Sequence, residues 1–412
     1  MPELSLAGVA VVAAVAFLVP LLLGLFPGLR LPSVVLEIVV GIVLGPSVLG
    51  WVRVDPPLQV LSIIGLAFLL FLAGLEVDVD HLRGRLLGLA GGGFAASFAV
   101  GLAASAGLAA VGLVETPLLV AIILTATSLG VVIPVLKDAG QVESDFGQLV
   151  IAAASIADFG AVILLSLFFS REATGPGAQL LLIGGLVLLA VAVAVGLARA
   201  GHSTRLAADL GRLQDSSAQI RVRGAVLLLA GLVLVAQRLG LETILGAFLS
   251  GALLRVVDRD EAMTHPNFRV KLEALGYGFL VPFFFVVSGL RFNLKALTDD
   301  PANLRLVPVF LAALLLVRGL PAVLYRKRVG ARRTVVAGLL QATSLPFIVA
   351  AVQIGMELGK LDQATGAALV AAGLLSVLLL PLAALTVLRG AEHGPSAGQA
   401  GEAPAPVSRQ AP

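Results

Sequence analysis

Thr125-Ala-Thr-Ser-Leu-Gly-Val-Val-Ile-Pro134 and Gln341-Ala-Thr-Ser-Leu-Pro346 share the tetrapeptide Ala-Thr-Ser-Leu, at 126–129 and 342–345, each inside a long apolar stretch. Both set small hydroxyl residues beside Gly or Pro where a hydrophobic helix should run unbroken. In hydrocarbon every backbone N–H and C=O needs a partner, so an interrupted helix persists only under protein cover or against a water-filled cavity. Two such interruptions in matching halves of a chain point to a binding site near the bilayer midplane. Four letters in an Ala- and Leu-rich chain carry little alone; they gain weight only if the flanking sequence repeats too.

Of the 412 residues, 58% are apolar and 13% charged, with a mean hydropathy of +1.04. Soluble domains are about half apolar and a quarter charged, so the class is a polytopic, all-α membrane protein. The net charge of +3 is too small to imply a nucleic-acid partner, and none is expected. There is no cysteine, which excludes disulfides, thiolate chemistry and cysteine-ligated metal. His81, His202, His265 and His393 fall in polar connections or the tail and read as solvated. No nucleophile–base constellation is visible either, so neither an enzyme nor a cofactor site is expected. The amino terminus lacks a signal peptide's basic region, and residues 4–26 read as a retained span.

About 20 apolar residues cross a bilayer. On that rule the chain divides into thirteen spans: 4–26, 32–50, 58–77, 86–112, 117–136, 146–169, 178–199, 222–239, 241–256, 273–292, 304–325, 333–357 and 363–388. Spans eight and nine are short and meet at Gly240. The 200–221 connection has room for an interfacial helix, and the Gly-, Ala-, Pro- and Ser-rich 390–412 reads as a disordered tail with no soluble domain after it. Loop Lys and Arg number 7 on the amino-terminal side and 20 on the other, with Arg318 inside a span. The positive-inside rule therefore puts the amino terminus outside and the carboxy terminus in the cytoplasm.

The repeat extends beyond the opening pair. Leu36-Glu37-Ile-Val-Val-Gly41 in span two resembles Leu241-Glu242-Thr-Ile-Leu-Gly246 in span nine. Gly74-Leu-Glu-Val-Asp-Val-Asp-His-Leu82 ends span three much as Gly289-Leu-Arg-Phe-Asn-Leu-Lys-Ala-Leu297 ends span ten. With Ala-Thr-Ser-Leu in spans five and twelve, the offsets are 205, 215 and 216 residues. Each moves seven spans along, an odd number, so the second copy enters from the opposite side: an inverted-topology repeat.

Two ionisable residues lie deep in spans. Asp158 is at the centre of span six, in Ile151-Ala-Ala-Ala-Ser-Ile-Ala-Asp-Phe-Gly160, and Arg318 is in span eleven, in Leu316-Val-Arg-Gly-Leu-Pro321. A charge at the bilayer centre costs roughly 2.5–3.5 kcal/mol on the mildest scales, and so marks a functional site by default. A buried Asp–Arg pair that only fixes helix packing is the alternative. Ser155 shares the helical face of Asp158. Thr127, Ser128, Thr343 and Ser344 offer hydroxyl or freed carbonyl oxygens to an ion, or serve as glue between helices. Glu37, Glu76 and Glu242 lie near span ends and read as solvated, Glu76 forming an acidic cytoplasmic mouth with Asp78 and Asp80.

With Leu31-Pro-Ser-Val-Val-Leu-Glu-Ile-Val-Val-Gly-Ile-Val-Leu-Gly-Pro46, Phe71-Leu-Ala-Gly-Leu-Glu-Val-Asp78, Thr125-Ala-Thr-Ser-Leu-Gly130, Gly246-Ala-Phe-Leu-Ser-Gly251 and Pro282-Phe-Phe-Phe-Val-Val-Ser-Gly-Leu290, the chain resembles the monovalent cation:proton antiporter superfamily, nearest its bacterial Kef-like and Nap-like branch. The resemblance covers residues 1–390. It implies a mobile core of spans 4–6 and 11–13 (86–170 and 301–389) sliding against a dimer-forming scaffold of spans 1–3 and 8–10 (1–85 and 222–300), with 171–221 as linker. It also implies a bacterial-type inner membrane and a homodimer. Asp158 matches the essential carboxylate and Arg318 the basic residue of the following repeat. Members carry Asp, Asn or Gln just before that carboxylate, and here Ala157 stands there. The potassium-efflux members' nucleotide-binding domain has no counterpart, which counts against gated potassium efflux.

On this resemblance the chain exchanges Na+ or K+ for H+, with Asp158 as the shared carrier and Thr127, Ser128 and Ser155 as further cation ligands. Burial and a nearby guanidinium act on a carboxyl in opposite senses, and their balance lets proton and cation compete. One carboxylate, and an Arg that stays charged, imply electroneutral 1:1 exchange. A sodium-coupled organic-anion symporter of related fold and a non-transporting sensor or scaffold are the other readings.

Overall fold

Proline and glycine punctuate the apolar stretches and decide where helices start, bend and stop. The computed structural model describes residues 6–25, 32–76, 84–169, 176–201, 219–257 and 268–389. The four histidines, Asp78, Asp80, most of the 200–221 connection and the 390–412 tail lie outside the described residues.

Sixteen helices follow in order: α1 Ala7–Leu25, α2 Ser33–Leu44, α3 Pro56–Glu76, α4 Gly84–Ala110, α5 Pro117–Thr125, α6 Leu129–Asp138, α7 Asp145–Phe168, α8 Pro176–Gly201, α9 Ile220–Arg238, α10 Thr243–Val257, α11 Phe268–Leu290, α12 Leu294–Thr298, α13 Pro301–Val329, α14 Ala331–Gln341, α15 Pro346–Glu357 and α16 Gln363–Arg389. No strand occurs among the described residues. Pro56, Pro117, Pro176, Pro301 and Pro346 each open a helix, where a missing N–H costs nothing. Gly240, at φ +70°, makes the tight turn from α9 into α10.

Among the described residues ten helices are long and apolar enough to cross a bilayer, and eleven if the bent pair α14–α15 is one span. The second and ninth expected spans hold helices of only 12 and 15 residues, short of the usual crossing length.

The helices sort by contact into two groups. One is α1–α3 with α9–α11, and the other is α4–α7 with α13–α16; α8 lies against α10 and α7. Within the first group α2 packs on α11 and α10 on α3, pairs that the repeat interchanges. Both contacts are backbone against backbone. A Cβ on Gly41 or Gly289 would collide with the main chain of the facing helix, and so would one on Gly74 or Gly251. Small residues are what let membrane helices approach this closely.

These close contacts also overturn the expected solvation of Glu37 and Glu242, each only 4% exposed. Glu37 is five residues into the short α2, already under α11 and α16. Glu242 precedes α10, which α3 and α9 enclose.

Two helices carry a π-turn, at Gly276–Leu280 in α11 and Leu315–Gly319 in α13. Each lies just before a proline, Pro282 or Pro321. A proline removes the i→i−4 hydrogen bond and crowds the carbonyl at i−4, and a widened turn relieves both. In α11 the Val281 N–H reaches back to the Gly276 carbonyl. The α13 turn contains Arg318.

Candidate functional site

Helix α5 stops at Thr125 because the backbone turns extended at Ala126 (φ −73°, ψ 157°) and at Ser128 (φ −115°, ψ 99°), where α6 begins. Helix α14 stops at Gln341, and α15 starts at Pro346 after a bend of 40°. The two breaks meet. The Ser128 amide donates to the Thr343 carbonyl at 2.9 Å, and the Thr127 hydroxyl donates to the Gln341 carbonyl at 2.8 Å. Behind the second break, the Ser376 hydroxyl of α16 accepts from the Ser344 amide and donates to the Ser344 carbonyl, both at 3.1 Å. Each interrupted strand of backbone thus supplies partners that the other lost.

Asp158, midway along α7, is 9% exposed and faces this crossing. The Thr127 amide donates to its Oδ1 at 3.1 Å, and the Leu129 amide also points to the carboxylate. Both amides belong to the amino-terminal end of α6, where unpaired N–H groups and the helix dipole favour an anion.

Arg318 is 1% exposed and does not pair directly with Asp158, so the alternative of a buried Asp–Arg pair is not what the structure forms. Its Nε and Nη2 donate to the Thr127 hydroxyl at 3.0 and 2.7 Å, and its Nη1 donates to the Ser97 hydroxyl at 3.1 Å. A longer contact of 3.4 Å runs from Nε to the Gln341 carbonyl. The two ionisable groups are joined through Thr127, whose amide serves one and whose hydroxyl serves the other. The π-turn turns the guanidinium toward the broken helix α5–α6 rather than toward α7.

The remaining sequence candidates separate. Ser128 lines the cavity described below, and its hydroxyl makes no hydrogen bond among the described residues. Ser155 donates back to the Ile151 carbonyl at 2.9 Å and does not reach the cavity. Thr343 donates to the Leu339 carbonyl at 3.2 Å, and the buried Ser344 hydroxyl has no partner. Ala157 is fully buried and away from the cavity.

A cavity of about 850 Å³ leads to the site. Thr127, Ser128 and Asp158 form its floor, and Phe248, Phe285 and Phe347 lie in its walls. It runs between the two helix groups toward Pro32, Glu76, Pro134, Tyr277 and Leu385. By topology these mark the face to which α16 delivers the carboxy terminus. Glu76 therefore lines this cavity, with the Tyr277 hydroxyl donating to its Oε1 at 3.4 Å. Glu76, expected as a solvated helix end at an acidic mouth, stands in the cavity wall, and Ser97 and Tyr277 are not among the expected site residues. A lone polar residue inside an apolar run was the available signal for Ser97. On the opposite face a second cavity, of about 840 Å³, lies between the ends of α2 and α11 and the helices α15 and α16. No cluster of three or more His, Asp or Glu side chains suited to a metal occurs among the described residues.

Inverted halves, two broken helices crossing near mid-chain depth and a buried carboxylate at the crossing define a secondary transporter of multi-pass helical architecture. The chain belongs to the sodium/hydrogen exchanger family, transmembrane, which matches residues 13–389. The "Putative Na(+)/H(+) antiporter YjbQ" of Bacillus subtilis (strain 168) is 33% identical over 398 residues, covering 93% of this chain and 63% of YjbQ. The chain thus spans just under two thirds of that relative's length. The Na(+)/H(+) antiporter of Enterococcus hirae is 26% identical over 360 residues, covering 85% of this chain and 90% of its own. Among solved structures, the sodium proton antiporter MjNhaP1 from Methanocaldococcus jannaschii at pH 8 superposes with a TM-score of 0.64 at 17% identity, over 92% of this chain and 98% of the other. That likeness speaks for the fold alone.

Proposed function

We propose that this protein exchanges a monovalent cation, Na+ or K+, for a proton across the membrane, with Asp158 as the shared site. The observation that carries this is the position of Asp158: a single carboxylate on the floor of an open cavity of about 850 Å³, held by the amides of a broken helix. A carboxylate there exchanges one proton for one cation with little rearrangement. Its ligands for the cation are its own oxygens, the free Ser128 hydroxyl and water. Thr127 and Arg318 then act as the brace behind the site, since the hydroxyl that would serve as ligand is already committed.

The packing of α4–α7 with α13–α16 supports their movement as one core against a scaffold of α1–α3 and α9–α11. With the amino terminus outside, as the loop charges require, the Asp158 cavity opens to the cytoplasm and this is the inward-facing state. Named bacterial relatives support a bacterial inner membrane, and the exposed apolar flank of α1 suits a homodimer within it. The chemistry is transport and not catalysis, with no resident cofactor.

Purified protein in liposomes tests the reading. Cation gradients should drive proton movement without any organic substrate, and Asp158→Asn should bring that flux to background while leaving the protein folded. Asn keeps the oxygen that accepts from the Thr127 amide but holds neither charge nor proton. Full flux in the Asn variant would mean that another group is the carrier. A requirement for an organic anion would point to symport instead. Reversal of the flux where the transmembrane cation and proton ratios are equal, whatever the membrane potential, is the accompanying expectation, because one carboxylate accepts one H+ or one monovalent cation.

A further inference from the structure

The repeat places Glu76 and Arg291 at the same position. Each follows Gly-Leu, in Gly74-Leu-Glu76 and Gly289-Leu-Arg291. Glu76 is the last residue of α3 and Arg291 caps the carboxy end of α11. The glycine before each is the one that seats its helix against the facing backbone. Inversion sends the two helices to opposite faces, and each residue lines the cavity of its own face. The repeated scaffold therefore presents a carboxylate to one cavity and a guanidinium to the other.

The remaining charged groups sharpen this difference. In the Asp158 cavity the charged lining residues among the described residues are Glu76 and Asp158, both acidic. The nearby Arg269 and Glu273 pair with each other at 2.7 Å on the exposed face of α11. In the opposite cavity Arg291 and Lys295 face Glu357 and Asp362, so formal charges cancel. Those two carboxylates also have hydrogen bonds to satisfy: Glu357 accepts from the Gln353 side chain at 3.1 Å, and Asp362 accepts from the Thr365 amide at 2.8 Å. Low-dielectric walls focus such a potential and raise the local concentration of the attracted ion.

We propose that Glu76 and Arg291 set the sidedness of transport: Glu76 gathers monovalent cations in the cavity that leads to Asp158, and Arg291 offsets the carboxylates of the opposite cavity so that cations are not concentrated there. This rests on the exchange reading above. Glu76 is a positioning residue. It belongs to the scaffold and stays at the mouth when the core carries Asp158 away, so it acts on capture and not on the carrier step. The two vesicle orientations should therefore differ in half-saturating cation concentration more than in maximal rate, with tighter apparent binding on the Glu76 face.

Everted and right-side-out membrane vesicles containing the full chain, assayed with Na+ at fixed pH, give KM and kcat for each face. Glu76→Gln should raise KM on the Glu76 face about fivefold with kcat retained, and Glu76→Asp should restore it. Arg291→Gln should lower KM on the other face, narrowing the difference from the other direction. Raising ionic strength with choline should shrink the wild-type asymmetry, since screening weakens a focused potential. Equal KM values on the two faces of the unaltered protein would overturn the inference. So would a Glu76→Gln effect confined to kcat, or one that Glu76→Asp fails to reverse. If the unaltered protein shows no Na+-driven proton flux at all, the exchange reading itself falls and this inference falls with it.

Discussion

The Thr127 hydroxyl has one proton to donate and two lone pairs, and the structure uses all three. It donates to the Gln341 carbonyl and accepts from both Nε and Nη2 of Arg318. A buried guanidinium keeps its charge only where its donors find acceptors, and losing one is costly. Thr127→Val preserves side-chain shape and removes both acceptors, so thermal unfolding in detergent should show a loss of about 3 kcal/mol. Asp158→Asn should cost less than about 1 kcal/mol in the same assay, because the amide of Thr127 keeps an acceptor. A double-mutant cycle should accordingly find strong coupling of Arg318 to Thr127 and weak coupling of Arg318 to Asp158. Equal destabilisation by the Val and Asn variants would mean that Asp158 and Arg318 interact directly after all.

At the scale of elements, the site depends on helices that stop, widen or touch at defined points. The α5 and α14 breaks satisfy one another's backbone, so neither is stable without its partner in place. The π-turn before Pro321 swings Arg318 to the crossing, and a regular helix would point that residue elsewhere by roughly 100°, the angle of one residue at 3.6 per turn. In the scaffold, contact between α2 and α11 runs through Gly41 and Gly289. Gly289→Val has no room for its side chain and should abolish recovery of folded protein, read by detergent size-exclusion chromatography. Gly185→Val, in α8 where a Cβ meets nothing within 4 Å, should be recovered near the normal yield. Similar losses for both would show that helix propensity, and not the close approach, is what each glycine supplies.

Across the whole molecule, the opposite face is held by a polar contact between the two helix groups. The Asn293 side chain, between α11 and α12, donates to Gln363 Oε1 at the start of α16 at 2.5 Å. If the core slides to expose Asp158 to that face, this contact has to part. The chain has no cysteine of its own, so Asn293→Cys/Gln363→Cys forms a clean pair for a short bifunctional thiol reagent. Cross-linking should stop exchange, and reduction of a cleavable reagent should restore it. Continued exchange while cross-linked would show that the two groups do not move apart here.

Much of this architecture was legible in the residues. Apolar composition and length gave a multi-pass helical protein; three motifs in the same order gave the inverted repeat; the Ala-Thr-Ser-Leu pair marked where two helices break. Asp158 stood out because a charge in mid-span is expensive. These are properties of short stretches and of their order, which sequence records directly. Partnership was not legible. Arg318 reaches Thr127 and Ser97 across separations of 191 and 221 residues, and a π-turn decides its direction. Glu37, Glu76 and Glu242 look alike as acidic residues near span ends, yet two are buried beneath neighbouring helices and one lines the Asp158 cavity. Hydropathy along a helix tells how far a residue lies from an end, but not which face another helix covers. The sequence by itself determined the class and the repeat, and it marked Asp158 as the mid-span carboxylate. Only the tertiary structure decided what Asp158 and Arg318 touch and which carboxylates meet the cavity, because those depend on how distant helices cross.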